Sequence, residues 1–425
     1  MNHYDIIIVG AGITGLYLAN KIKDKSVLII EKSHYLGGRI YTYEKKINNK
    51  VYFLEGGAAR FSNSDSEIID LISDLGLANK KEQITSDFSY WDSKDGQFSG
   101  VKMFNFQLMA GRLLLASKFK SNEDLCKKTF YEFAIDVLGK KQADLYGKIM
   151  GFYTEFKVMN AADAVKQMEH FAPWNIFYTM KNGLTEVMEK LEKKLGSKKN
   201  IFIKKNNILL EVNHSSKNTF LKVKDEFDKE IEYNCDKLIL ACDPLSVKNI
   251  SGISTIQREI SKRVHASKLF RIYAIYPTKD KKSWFSELPK LTTDNPIRMF
   301  LPIDYKNGSV LISYTDDKDI DFWEKIYKKD KKPFPLLKNE LHKQANILFN
   351  NKLSEKIPEP LLIIPALWNA GCYAYKKNYF SDDSMRFFLK PYVKSNIYMC
   401  NSGLSNQQAW MNGGLKMANK VLDLI

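Results

Sequence analysis

The sequence predicts an α/β fold in which a Rossmann-like dinucleotide-binding domain is interleaved with an α+β substrate domain that contains a mixed sheet and a helical insertion. Three observations predict it. A short apolar run at residues 5–9 leads through Gly10-Ala-Gly12-Ile-Thr-Gly15 into an amphipathic stretch with Leu16, Ala19 and Ile22 on one side. A second run, residues 26–30, ends on Glu31, 21 residues after Gly10. Beyond them, β-type and helical stretches alternate to the C-terminus, where residues 397–400 pass through a Gly-containing turn into a last helix.

Each glycine of the first turn has its own task. Gly10 permits the tight turn, Gly12 lets the backbone approach a pyrophosphate, and Gly15 lets helix and strand pack closely. The phosphates lie on the positive end of the helix at 12–23, and Glu31 accepts hydrogen bonds from the ribose hydroxyls. Helical periodicity follows over residues 105–120, 123–138, 142–150, 161–170 and 185–195. A charged interval at 193–205 leads into a second β-rich block at 201–203, 208–212, 220–223, 231–233 and 237–241. Strands are then expected at 269–276, 298–301, 309–314 and 361–367, and helices at 319–327, 336–349 and 413–424. The nucleotide-binding domain takes residues 1–75, 196–265 and 385–425, and the substrate domain takes 76–195 and 266–384.

Composition narrows the function. The chain has 425 residues, 44% hydrophobic and 27% charged, which suits folded domains with a sizeable core. The net charge is +16, yet lysine supplies 57 of the 65 basic residues, and a base-reading groove favours arginine. Lys and Asn cluster together, as at 47–50 and 204–207, which reads as compositional bias. Five scattered cysteines without a C-x-x-C pair, and six histidines without metal spacing, predict neither disulfides nor a metal site. No apolar run approaches the roughly 18 residues of a membrane span, and no leader precedes the first strand. These features predict a cytoplasmic protein, monomer or homodimer, with a small-molecule substrate and no nucleic-acid or membrane partner.

Further motifs narrow the cofactor. Gly37-Gly38-Arg39 follows Glu31, and Leu54-Glu55-Gly56-Gly57-Ala58-Ala59-Arg60 comes next. Near the C-terminus stands Asn401-Ser-Gly403-Leu404-Ser405-Asn-Gln-Gln-Ala409-Trp410-Met411-Asn-Gly413-Gly414. In these motifs the sequence resembles the flavin-dependent amine oxidases, a family that includes monoamine and polyamine oxidases and, more distantly, protoporphyrinogen oxidases and phytoene desaturases. The resemblance implies FAD. It assigns Gly10, Gly12, Gly15 and Glu31 to the adenosine and pyrophosphate, and Gly37, Gly38 and Arg39 to the diphosphate. It places Gly57, Ala58 and Arg60 beside the isoalloxazine ring, and Gly403, Leu404, Ala409, Trp410 and Met411 at the closing turn. Successive Gly amides form an anion nest, and Arg39 can pair with a phosphate. Leu404 departs from the family's usual Glu, so one hydrogen bond to FAD is lost.

The reacting centre follows from the same resemblance. Family members carry a Lys on a substrate-domain strand, and counting back from Pro277 places Arg271 there. An Arg can order water or bind an anion but cannot act as a base. A register slip of three would put Lys268 in the role instead. The family's substrate lies between two aromatic walls. Trp410 matches one, and Trp368, Tyr373 and Tyr375 compete for the other. Gly371-Cys372-Tyr373 repeats the letters around a Cys that holds FAD covalently in some monoamine oxidases, although its spacing from Trp368 favours a buried thiol. The implied reaction moves a hydride from an amine or polyamine C–N bond to flavin N5, with reoxidation by oxygen. The alternatives are C–C oxidation of the protoporphyrinogen oxidase or desaturase type, and a FAD-binding protein without amine turnover.

Overall fold

In the computed structural model, which describes residues 2–172, 174–215, 218–349, 353 and 356–425, the apolar strands Asn2–Val9 and Val27–Ile30 pair in parallel. The helix Ile13–Lys21 joins them. They sit inside a seven-stranded sheet in the order Ile201–Lys204, Val27–Ile30, Asn2–Val9, Glu230–Leu240, Thr219–Lys224, Ile208–His214, with Ile397–Met399 beside Glu230–Leu240. The strands on the Ile201 side and Ile397–Met399 are parallel, and the last two are antiparallel. Parallel strands covered on both faces read as unbroken apolar runs, and residues 27–30 are buried throughout.

The second sheet also has seven strands, in the order Leu362–Tyr375, Val264–Ile275, Ser309–Asp316, Met299–Asp304, Leu291–Thr293, Ser89–Asp92, Gln97–Phe98. Alternation along its second strand sorts the side chains onto two faces. Phe270, Ile272, Ala274 and Tyr276 join Trp323, Leu337 and Leu341 in a core under the helices Asp321–Tyr327 and Pro335–Phe349. Tyr273 and Ile275 turn the other way and pack on Tyr52 and Leu54. The helices Gly100–Ser117, Phe130–Leu138, Lys140–Met150 and Ala161–His170 form a third core around Leu113, Phe130, Phe133 and Tyr146.

Several expected elements change. The single helix expected over 123–138 is two, Asn122–Cys126 and Phe130–Leu138, because Thr129 and Glu132 form a reciprocal capping box that starts a new helix. The expected strands at 231–233 and 237–241 are one strand, and the one expected at 361–367 continues to Tyr375. A hairpin, Thr42–Ile47 with Lys50–Glu55, was not expected. Its turn residues Asn48 and Asn49 take φ of 48° and 62°, so the Asn pair read as compositional bias is the turn itself. Among the described residues no helix is long and apolar enough to cross a membrane.

Two glycines of the first turn have no room for a side chain. A Cβ on Gly15 would lie 2.1 Å from the Gly10 carbonyl oxygen, and one on Gly10, whose φ is 109°, would lie 2.8 Å from the Cys242 amide nitrogen. Gly15→Ala is expected to destabilise the chain by about 1–3 kcal/mol, read from the urea midpoint, while Gly196→Ala, where a Cβ meets nothing and the backbone is not left-handed, stays within about 1 kcal/mol.

Candidate cofactor and substrate site

The nucleotide end of the site is built from backbone. Glu31 is buried, and its two carboxylate oxygens accept from the Ala11 N–H at 2.7 Å and the Ser33 N–H at 2.8 Å. Each oxygen keeps a further lone pair for a ribose hydroxyl. A Cβ on Gly12 would meet nothing nearer than 4.0 Å, so its face is open at the N-terminus of the helix. Gly37 donates to the Ala11 carbonyl at 2.9 Å, which draws the 37–38 turn against the first one. An open Gly face, a helix N-terminus and a ribose-directed carboxylate fit a dinucleotide.

Arg39 is placed otherwise than a phosphate partner alone would require. Its guanidinium donates to the Gly371 carbonyl at 3.1 Å and the Ser402 hydroxyl at 2.8 Å, and lies 5.2 Å over the Tyr373 ring. It therefore ties together three segments that are distant in sequence. Gly403 packs on the Tyr373 ring, where a Cβ would come within 2.6 Å. Leu404 lies wholly in the apolar core, and its carbonyl accepts from the Tyr375 hydroxyl at 2.7 Å, so its side chain offers nothing to a polar ligand. Ala409 takes φ of 66°, a bend that delivers Trp410 and Met411 to the start of the helix Met411–Leu422.

The turn at 55–58 ties the hairpin that precedes it to the second sheet. Arg271 donates through Nη1 to the Glu55 carbonyl at 3.1 Å and to the Gly57 carbonyl. The Tyr273 hydroxyl donates to the Glu55 carbonyl at 2.8 Å, and the Trp368 indole N–H to the Gly56 carbonyl at 2.6 Å. Ala58 N–H donates to the Arg39 carbonyl at 2.9 Å. Gly57 is required here, since a Cβ would fall 1.8 Å from that same oxygen. Burial raises the Glu55 carboxyl to about 7, against the Leu184 N–H, the Thr42 hydroxyl and Arg271, which lower it.

The strand alternation separates the two rival cations. Lys268 points to the helical face and pairs with both oxygens of Glu324 at 2.9 Å, away from the turn. Arg271 points to the turn, is buried, and lies 4.7 Å over the Tyr314 ring. Burial opposes its charge, but Tyr314, Tyr273 and Glu55 outweigh burial and raise its pKa. Its Nη atoms are committed to protein oxygens, so it acts first as a strut, and its buried Nε has no partner.

Trp410 and Tyr373 do not face each other as two walls. Tyr373 donates its hydroxyl to Asp243 at 2.7 Å, on the cofactor-sheet side. Tyr375 is likewise used in the core, and Trp368 is held against the 56–57 turn. Trp410 donates its indole N–H to Gln167 at 2.9 Å and packs at a tilt against His170 at 4.2 Å, with Phe171 and Phe177 close by. Arg60 lies over three of these rings, at 5.1 Å from Phe171, 5.2 Å from Phe177 and 5.7 Å from Trp410. No hydrogen bond or ion pair to its guanidinium is present among the described residues. Burial lowers its pKa, Tyr314 and Glu155 oppose, and Arg271 adds to the lowering.

Residues that sequence reasoning missed come from the helical insertion. A π-helical segment, Thr154–Val158, carries Glu155, whose carboxyl burial pushes up to about 7, with Asp316 adding and Arg60 opposing. Asp316 holds the segment in place by accepting from the Tyr153 and Thr154 N–H groups at 2.8 Å each. Phe152 packs on Tyr314 at 5.6 Å. No periodic signal marks this turn, since a π segment shifts the helical phase. Burial raises the Cys372 thiol to about 12, with Asp316 adding, which suits a buried thiol.

Glu31→Ala would leave the Ala11 and Ser33 amides without their acceptor. Reconstitution of stripped protein should show FAD affinity falling at least about tenfold; unchanged affinity would remove Glu31 from the cofactor site.

The model of the flavin containing amine oxidoreductase family matches residues 13–421. The flavin-dependent L-tryptophan oxidase RebO of Lentzea aerocolonigenes is 30% identical over 132 residues, covering 30% of this chain and 27% of that enzyme. The flavin-containing amine oxidase B of Homo sapiens is 32% identical over 82 residues, covering 19% of this chain and 15% of that enzyme. The matched segments thus span about a quarter or less of these relatives. A solved structure of wild-type putrescine oxidase bound to putrescine shares the fold, with a TM-score of 0.75 at 16% identity over 99% of both chains. The chain belongs to the flavin containing amine oxidoreductase family.

Proposed function

We propose that the chain oxidises the C–N bond of an amine that also carries an anionic group, such as an α-amino acid. The observation that carries this reading is Arg60, a half-buried guanidinium over Phe171, Phe177 and Trp410 with no hydrogen bond or ion pair among the described residues. An unpaired, partly buried charge is costly, and a substrate anion would relieve the cost. Arg271 adds a second positive charge nearby, so a polyamine dication would enter against two guanidinium groups.

FAD, when bound, supplies the hydride acceptor at N5. The chain's own residues bind, orient and exclude water. Arg60 holds the substrate anion, and the aromatic faces of Phe171, Phe177 and Trp410 pack the carbon framework. Glu155, ionised above about 7, faces the same interior and suits the ammonium, taking its proton so that the amine lone pair is free. Arg271 keeps the 55–57 turn in position. The product imine would then be hydrolysed by water.

The fold shared with putrescine oxidase supports a second reading, a polyamine, and the comparison of paired substrates decides. Tryptophan and phenylalanine should exceed tryptamine and phenethylamine in kcat/KM by about tenfold or more, with putrescine slower still. Putrescine as the fastest substrate would sink the anionic reading. Flavin that no amine bleaches anaerobically would favour C–C oxidation of an acidic substrate. Free cysteines, five among the described residues, support a reducing, cytoplasmic location.

Arg60→Met should raise KM for an amino acid by about tenfold to a hundredfold and leave the matching amine within about threefold. The kcat/KM profile should fall below about pH 7 as Glu155 gains a proton, and Glu155→Gln should abolish that acid limb.

A further inference from the structure

The helix Gly100–Ser117 is apolar on two opposite faces. Met109 and Leu113 on one face join the core of the helical insertion. On the other, Val101, Phe104, Leu108 and Leu115 are between 52% and 73% exposed. At 100° per residue these four fall within an arc of about 60°, along a helix about 27 Å long. Phe119, 83% exposed, continues the line just past the helix end. A helix apolar all round is expected in a core or a lipid environment, and a continuous exposed stripe of this kind calls for a cover.

Charge indicates which cover. Residues 96–122 contain no Asp or Glu, although the chain carries 49 of them, and of their four cations Lys102 pairs with Asp92 and Asp95, which leaves Arg112, Lys118 and Lys120. Lys118 and Lys120 are exposed, and neither makes an ion pair among the described residues. Arg112 donates only to neutral acceptors, the Val137 carbonyl at 2.8 Å and the Gln142 side chain at 3.3 Å, so its charge stays uncancelled. A second copy docked face to face would bring two Arg112 side chains together near the centre of the helix, on molecules of net charge +16. An anionic bilayer surface answers both features: the stripe enters the boundary between headgroups and acyl chains, and the flanking cations meet anionic lipid.

We propose that the exposed face of the helix Gly100–Ser117, extended by Phe119, docks this protein peripherally on an anionic membrane surface. The site is separate from the cofactor and substrate residues, so the proposal stands or falls independently of the substrate.

The test is flotation of the full, flavin-loaded chain with vesicles of phosphatidylcholine alone or with about one-third phosphatidylserine. The wild type should float with the anionic vesicles and not with the neutral ones, and should release at about 1 M salt. Phe104→Ser with Leu108→Ser should cut the partition coefficient by about tenfold or more. Lys118→Glu with Lys120→Glu, which leaves the apolar stripe intact, should cut it by about tenfold as well. Val393→Ser, at an isolated residue 90% exposed, should change nothing. Flavin absorbance and turnover in vesicle-free buffer report that each variant is folded. Three results would overturn the proposal: a wild type that stays with the soluble fraction, apolar variants that float as well as the wild type, or a dimer in sedimentation that the apolar variants dissociate while vesicles bind nothing.

Discussion

Three consecutive backbone carbonyls, those of Glu55, Gly56 and Gly57, tie the end of the hairpin Thr42–Ile47 with Lys50–Glu55 to the second seven-stranded sheet. Arg271, Tyr273 and Trp368 donate to them from two neighbouring strands of the second sheet. On the other side Ala58 bonds to Arg39, and the Glu55 carboxylate accepts from Thr42 and Leu184. Carbonyl groups at a buried turn need donors, and here they all come from the opposite sheet. This contact is thus a satisfied hydrogen-bond network as well as an apolar one, and the position of the 55–58 turn depends on it.

This network changes the meaning of Arg271. A cation at that strand position reads from sequence as a candidate for the reacting centre, but its Nη atoms are occupied in holding the turn. Arg60, six residues from the same motif's start at Leu54, is the guanidinium left without an oxygen. The two arginines divide the work: one fixes the wall, and the other carries a charge that no hydrogen bond or ion pair meets among the described residues. Glu155 balances that charge from the helical insertion, on a segment kept in place by Asp316. Both depend on burial, which raises the energy of an unpaired charge and so makes a complementary ligand worth more.

Much of this was legible in the chain itself. The Gly10 to Gly15 turn, its flanking strands and Glu31 occupy the places their spacing requires, because the geometry is local: Gly10 and Gly15 are demanded by backbone contacts, and Gly12 leaves an open face. The capping box Thr129–Glu132 and the Asn48–Asn49 turn were also written in the sequence, but weakly, inside a composition rich in Lys and Asn. The aromatic partner of Trp410 was not legible. Sequence distance between the motifs left Trp368, Tyr373 and Tyr375 equal, and the structure surrounds Trp410 instead with His170, Phe171 and Phe177 from the end of one helix and a short strand.

The sequence by itself determined the cofactor unit and the family of chemistry, since phosphate-binding turns and strand-end carboxylates work through short stretches of backbone. Only the tertiary structure decided which charges are used up and which are left over. Lys268 and Arg271 differ by three residues, an odd step that puts them on opposite faces of one strand, yet without the sheet nothing says which face meets the turn. Likewise the exposed residues of Gly100–Ser117 look like an ordinary buried helix in sequence. Their exposure follows from the packing of the insertion, which has room for one apolar face of that helix and leaves the other in contact with solvent.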